Sequence, residues 1–381
     1  MGGMHIQPNL LSWARERAGL RVEELQQKIP QLASWEAGQT QPTYKQLVAF
    51  AQHVRVPIGY LFLPRPPEEQ LPIADFRTPA KKTTQTYSVN LRDTIYLCQL
   101  RQDWFRRYAI SNGYDKIPFV GSVTRAQAPS DVAARIQSAI GYVHAEGAAC
   151  RDFDAALRYF VGKVEDAGVL INASGIVGSN SNRKLSTDEF RGFALSDAYA
   201  PLIFINAADS KAAQQFTLAH ELAHIWLGES GVSHEDTTPD ESSNIEDWCN
   251  AVAAELLLPL AVVKSIPVAK QNLEAAVTSL VQHYRVSTFV VLRRLLDAQH
   301  ITKATYWEQY NLALEKVRPI QRTGTGGDFY RTLSTRCGKR FSQALIADTL
   351  EGKTLFTEAF RLLGVRSTKT FMEAAKKLEV G

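Results

Sequence analysis

The most chemically loaded stretch of the sequence is the pentapeptide His220-Glu-Leu-Ala-His224. Histidines four apart lie on one face of a helix, one turn from each other, so both imidazoles can reach a single divalent ion at about 2.0–2.1 Å. Glu221 follows the first histidine, and a carboxylate there can take a proton from an attacking water and later pass it to a leaving amine. The bound ion, zinc in the first place and manganese as an alternative, would supply acidity that water lacks and polarise a scissile carbonyl.

The elements around the pentapeptide must bury it. A solvent-facing helix would not read Phe216-Thr-Leu-Ala-His-Glu-Leu-Ala-His-Ile-Trp-Leu227, which is apolar on most faces. The pattern predicts a helix over 212–227, ended by Gly228, whose histidines are buried and need a partner. A catalytic zinc needs a third protein ligand. The continuation that would bring a third histidine fails, because Leu227 stands where a glycine should and Ser230 where the histidine should. The ligand is therefore expected from a later helix, the run from Asn244 to Pro259. There Glu246 lies one turn before Asn250 on the same face, and the amide could orient the carboxylate. Glu246 is the preferred ligand. His234 is chemically capable but sits in a loop, Asp247 and Glu255 point elsewhere on the helix, and Cys249 is expected to pack as a small apolar residue.

Three short apolar runs bounded by turn residues, Gly168–Ala173, Phe190–Leu195 and Pro201–Asn206, fit strands of a small sheet. Helical patterns fill most of the remainder, so the fold class expected is mostly α with a small β-sheet. The stretch from Glu229 to Asp247 holds seven acidic residues and no lysine or arginine. Rich in Ser, Thr and Pro, it reads as a solvated mobile loop, and Ser230 to Ser243 as a lid over the metal.

Residues 8–63 read as short helices over Asn9–Ala18, Arg21–Lys28, Gln31–Glu36 and Thr43–His53. The proline-rich Pro64–Pro72 follows as a stiff connector. The organisation expected is 1–67 as a small helical domain, 68–129 as linker and helical connector, 130–300 as the domain of the metal site, and 301–381 as a helical tail. From Lys316 to Gly381 there are 13 basic and 6 acidic side chains, or +7, which leaves −3 for the rest of a chain of net charge +4. The tail is read as a solvated helical face, and Gly324-Thr-Gly-Gly327 as a linker lacking the Gly-Lys-Ser/Thr ending of a phosphate loop.

With these motifs in order, the sequence resembles the ImmA/IrrE family of metallo-endopeptidases. The resemblance lies in Phe190-Arg-Gly-Phe193, Pro201-Leu-Ile-Phe-Ile-Asn206, Phe216 to His224, and Glu246 to Asn250 running into Ala253-Ala-Glu-Leu-Leu-Leu-Pro259. Val252 departs from it, at a position usually aromatic, as does Trp248-Cys249. The resemblance implies a zincin-like domain, metal ligands on His220, His224 and Glu246, and a catalytic acid/base on Glu221. It also implies a protein substrate, a helix-turn-helix repressor or antitoxin, whose cleavage releases a stress, mobile-element or defence operon.

The first 63 residues resemble the XRE-type helix-turn-helix through Trp35-Glu-Ala-Gly38, Gln41-Pro-Thr43 and Arg55-Val-Pro57. Fusions of the two, with a Pro-Pro linker and Asp75-Phe-Arg-Thr78, resemble a known subgroup. Only six residues separate Lys28 from Trp35, one of them Pro30, so the recognition helix is about one turn short of that pattern. DNA binding through this region is expected to be weak, with Gln31 and Ser34 the main polar groups able to approach bases. A protein-docking role is the alternative.

The composition, 45% hydrophobic and 22% charged over 381 residues, is that of a globular protein and excludes disorder as the main state. Cys98, Cys150, Cys249 and Cys337 form no CxxC pair, so neither a disulfide framework nor a thiolate zinc site is expected, and a reducing cytoplasm fits. No export signal or membrane segment is read. The competing function class is a DNA-binding transcriptional regulator or antitoxin-like module with a structural or sensory metal. An intact Glu221 favours the enzyme, since a structural site has no need of a base.

Overall fold

The computed structural model describes residues 6–67, 73–75, 87–233, 244–266, 273–316 and 329–380. Contacts divide the chain into two compact units, Met1–Pro72 with Thr84–Ile95, and Ile73–Thr83 with Tyr96–Gly381.

In the first unit the expected helices form over Pro8–Arg17, Val22–Gln26, Leu32–Glu36 and Tyr44–Val54, followed by a 3-10 turn at Ile58–Phe62. Thr43 caps the fourth helix in a capping box with Gln46, which satisfies two backbone donors that helix geometry leaves open. Leu11, Leu25, Leu32, Trp35, Leu47, Phe50 and Leu61 close one apolar core. The first helix is tied to the third by Arg15, whose Nε and Nη2 donate to the two carboxylate oxygens of Glu36 at 2.7 and 3.0 Å. Such a two-point pairing fixes orientation as well as charge.

The second unit is built on a sheet of five strands in the order β1 (Ala74–Asp75), β5 (Gly231–Ser233), β3 (Gly192–Leu195), β4 (Leu202–Asn206) and β2 (Leu170–Ser174). β2 runs parallel to β4, whereas β3 is antiparallel to both β4 and β5, and β1 is parallel to β5. The three strands expected from the sequence are β2, β3 and β4. Phe193 and Phe204 are register partners, and their rings stack at 5.0 Å.

Two strands were not foreseen. Gly231–Ser233 falls in the stretch read as a mobile acidic lid, and that reading is corrected for these residues. Val232 is buried and paired with Phe193, and the Ser230 hydroxyl accepts a bond from the Ser196 amide at 2.7 Å. One apolar residue among polar ones gives no alternation to read. The rest of the expected lid, 234–243, lies outside the described residues, as do 68–72 of the connector and the glycine-rich 318–327.

Helices pack around the sheet. Lys211–Leu227 lies against β3 and β4 and against Asn244–Leu257, with Pro129–Ile140 and Phe153–Asp166 completing the core. The carboxy-terminal tail does present a solvated basic face, with Lys339, Lys353, Arg361, Arg366, Lys369, Lys376 and Lys377 exposed, but it also carries a core. Its helices Phe329–Cys337, Lys339–Leu350, Phe356–Leu363 and Thr368–Lys377 bury Leu333, Phe341, Leu345, Leu362 and Phe371. Arg101, itself buried, donates to the Leu362 and Arg336 carbonyls, both at 3.1 Å, and to Cys337 Sγ at 3.2 Å. The basic count hid an apolar stripe on each helix, and a buried guanidinium closes what those stripes leave polar. The fold is mostly helical with a small sheet, as expected. Among the described residues, no helix is long and apolar enough to cross a membrane.

Candidate metal centre

The helix Lys211–Leu227 starts where the Ser210 hydroxyl accepts the Ala213 amide at 3.2 Å and stops at Gly228, whose φ of +77° is the left-handed conformation of a helix end. Every residue from Gln214 to Trp226 is buried. Its last carbonyls are satisfied by a passing segment: the Gly121 amide donates to Ile225 at 3.1 Å and the Val123 amide to Trp226 at 3.2 Å. Phe119 stacks on Trp226 with ring centroids 3.9 Å apart. A helix held on all sides presents its histidines in fixed positions.

His220, His224 and Glu246 come together. The Nε2 atoms of the two imidazoles are 3.1 Å apart, and each is 3.2 Å from one oxygen of Glu246. Both histidines are 0% exposed and Glu246 4%. Burial opposes the charge on Glu246, yet the facing imidazoles outweigh it and hold the carboxyl down at about 2. Burial likewise lowers the His224 pKa. The donor set fits a divalent transition metal. Three lone-pair donors converging away from water call for a cation between them, and their spacing is close to the edge, about 3.3 Å, of a tetrahedron with arms of 2.0–2.1 Å.

Asn250 does not orient Glu246, as the sequence reading had it. Its Oδ1 lies 2.9 Å from His220 Nδ1, so it accepts from the imidazole and leaves the Nε2 lone pair directed toward the cluster. The helix that carries both residues is fixed by Trp248 Nε1 donating to the Gln127 carbonyl at 3.1 Å and by His144 Nε2 meeting the Leu256 carbonyl at 2.8 Å. Beyond its end, buried Arg294 pairs with Glu255 at 3.2 Å and donates to the Leu258 carbonyl at 3.0 Å. Glu255 is thereby engaged elsewhere and Asp247 is exposed, while His234 lies outside the described residues. Cys249 is fully buried, and its thiol is pushed well above the usual range by that burial and by the carboxylates of Glu246, Glu221 and Glu229.

Glu221 is 0% exposed and packs over β3 at Gly192. A Cβ at Gly192 would stand 2.5 Å from Thr217 Cγ2, 2.9 Å from the Phe204 carbonyl and 3.0 Å from Glu221 Oε1. Only glycine lets the helix Lys211–Leu227 approach the strand so closely. Sequence reasoning quoted this glycine in a motif but assigned it no role; a glycine inside a strand pattern was the available signal.

Residues 164–296 match the family model Peptidase_M78, an IrrE N-terminal-like domain. Residues 337–377, which span the last three helices, match a domain of unknown function, DUF8813. No curated protein and no solved structure matches the chain. The first match supports the ImmA/IrrE resemblance and a peptidase role for the part of the chain that holds the cluster.

Proposed function

We propose that this protein is a metal-dependent endopeptidase, with zinc held by His220, His224 and Glu246 and manganese as the alternative ion. The observation that carries the reading is the buried triangle of donor atoms at 3.1–3.2 Å, reinforced by Asn250 on the far side of His220. When bound, the ion would polarise a substrate carbonyl and make a water more acidic. Glu221 takes the proton of that attacking water and delivers it to the leaving amine. Asn250 holds His220 in the tautomer whose Nε2 is a donor of electrons. Gly192 keeps the strand close beneath the carboxylate, so that Glu221 is held in a dry, shaped place.

The substrate proposed is a protein, a helix-turn-helix repressor or antitoxin, whose removal would release an operon in the cytoplasm. The amino-terminal unit is given the part of choosing that protein, with DNA binding through residues 1–63 weak. In support, the polar groups first expected to meet bases are spent locally. The Gln31 side chain accepts from Gln46 Nε2 at 2.8 Å, and the Ser34 hydroxyl donates to the Gln31 carbonyl at 2.7 Å and lies 2.9 Å from the Thr40 hydroxyl. The test is to co-express the protein, or its Glu221→Gln variant, with each regulator encoded by adjacent genes. Cleavage by the parent and not by the variant is expected; stability of every candidate in both would contradict the proposed substrate class.

A further inference from the structure

A hydrolase must admit both water and chain, yet His220, Glu221 and His224 are 0% exposed and Glu246 4%. Some element beside the site has to yield. The strand nearest Glu221 is β3, through Gly192, and its inner edge is taken by β4 in a ladder that reaches from Gly192 opposite Ile205 to Leu195 opposite Leu202. The outer edge of β3 is where an extended polypeptide could add a strand beside the carboxylate, gaining main-chain hydrogen bonds without regard to its sequence.

That edge is filled by the chain itself. β5 lies antiparallel on β3 with Ser233 opposite Gly192, Val232 opposite Phe193 and Gly231 opposite Ala194, and β1 covers β5 in turn through Ala74 opposite Gly231 and Asp75 opposite Val232. The two ends of the sheet are made of different material. β2, β3 and β4 are written Leu-Ile-Asn-Ala-Ser, Gly-Phe-Ala-Leu and Leu-Ile-Phe-Ile-Asn, whereas β5 is Gly-Val-Ser and β1 is Ala-Asp. Glycine, alanine and aspartate are weak strand formers, and over the described residues β5 pairs at three positions with β3 and β1 at two with β5, pairings that open at little cost. Val232 is buried and anchors β5 in the core. β5 is joined to the metal helix through Gly228, so it can peel away while Ser210 and the rest of that helix stay in place.

We propose that β5, with β1 on its outer side, holds the place of an extended polypeptide at the edge of β3, and that a substrate segment enters by displacing it. This rests on the endopeptidase reading. The closed form is then a latent one, and the kind of partner it admits is an unfolded or extended segment rather than a helix.

The test locks and loosens β5 in the full, metal-loaded chain carrying Glu221→Gln, so that binding is read without turnover; the probe is reduced, carboxymethylated casein. Ala194 and Gly231 are register partners, a spacing a disulfide can bridge, so Ala194→Cys with Gly231→Cys locks β5 on oxidation and frees it on reduction. Casein should bind about tenfold more weakly to the oxidised than to the reduced form, as expected when the competent population falls by that factor. Val232→Ala should bind it several-fold more tightly than its parent. Equal affinity in the two redox states overturns the proposal, as does absence of binding in both; should Val232→Ala fail to fold, the redox pair still decides. If the lock controls binding but the wild-type chain never cuts casein or a regulator, the endopeptidase reading fails and the displaced strand stands.

Discussion

Two short stretches of this molecule carry its functional expectations, and they are built in opposite ways. The helix Lys211–Leu227 is buried along almost its whole length and meets a sheet, a second helix and a capping segment, so each polar side chain on it has been placed by packing. The helix Leu32–Glu36 has five residues, two of them buried, and its Ser34 and the preceding Gln31 bond within their own unit. A site on the first is pre-organised, because its supports are rigid. On the second, Leu32 and Trp35 serve the core and little side-chain surface is left for an outside partner. The difference teaches that spacing alone is enough to assign chemistry where burial fixes direction, and not where a helix is too short to project anything.

That contrast can be broken most sharply at Glu221. Glu221→Gln preserves volume but cannot accept a proton, so hydrolysis should fall by about 10²–10⁴-fold with metal content and fold unchanged. Wild-type turnover by this variant, measured on a confirmed substrate, would remove Glu221 from the mechanism. A smaller but still large effect is expected at Gly192, where even Gly192→Ala adds an atom 2.5 Å from Thr217 Cγ2 and 2.9 Å from a backbone carbonyl. Overpacking of this kind costs about 1–3 kcal/mol, visible as a lower denaturation midpoint, and a neutral result would mean that helix and strand are less tightly apposed than described.

Asn250→Ala tests the support of a ligand rather than the ligand itself. Loss of such a partner typically weakens metal binding about 10–100-fold, and competition with a chelator should show it while circular dichroism stays the same. The amino-terminal unit should answer most mildly. Thr43→Ala removes the capping box at Tyr44–Val54 and is expected to cost about 1 kcal/mol in the unfolding of that unit, with no effect on metal content. A change in bound metal on Thr43→Ala would break the separation drawn between the two stretches.

The candidate site was legible because its geometry is local: a helix puts residues 220, 221 and 224 in fixed relation whatever surrounds them. Glu246 was reachable because the following helical run fixes it one turn before Asn250, whereas His234, also a capable donor, falls in a stretch without helical pattern. What could not be read depends on contacts between distant segments. Asn250 shares a face with Glu246, but only the packing of two helices decides that its amide meets His220. β1 and β5 carry almost no strand signal in their own residues; β5 is imposed by the edge of β3, and β1 by β5 in turn. The tail's charge count described its outer surface and said nothing of Leu333, Phe341 or the role of Arg101.

The central claim is that the buried triangle of His220, His224 and Glu246 is the site of a divalent ion. It is tested most directly by elemental analysis of the purified protein beside Glu246→Ala and Glu255→Ala, carboxylates on the same helix of which one faces the imidazoles and the other pairs with Arg294. The account predicts about one zinc per chain in the parent and in Glu255→Ala, and its loss from Glu246→Ala. Equal metal in all three, or none in the parent after purification with zinc present, would contradict it.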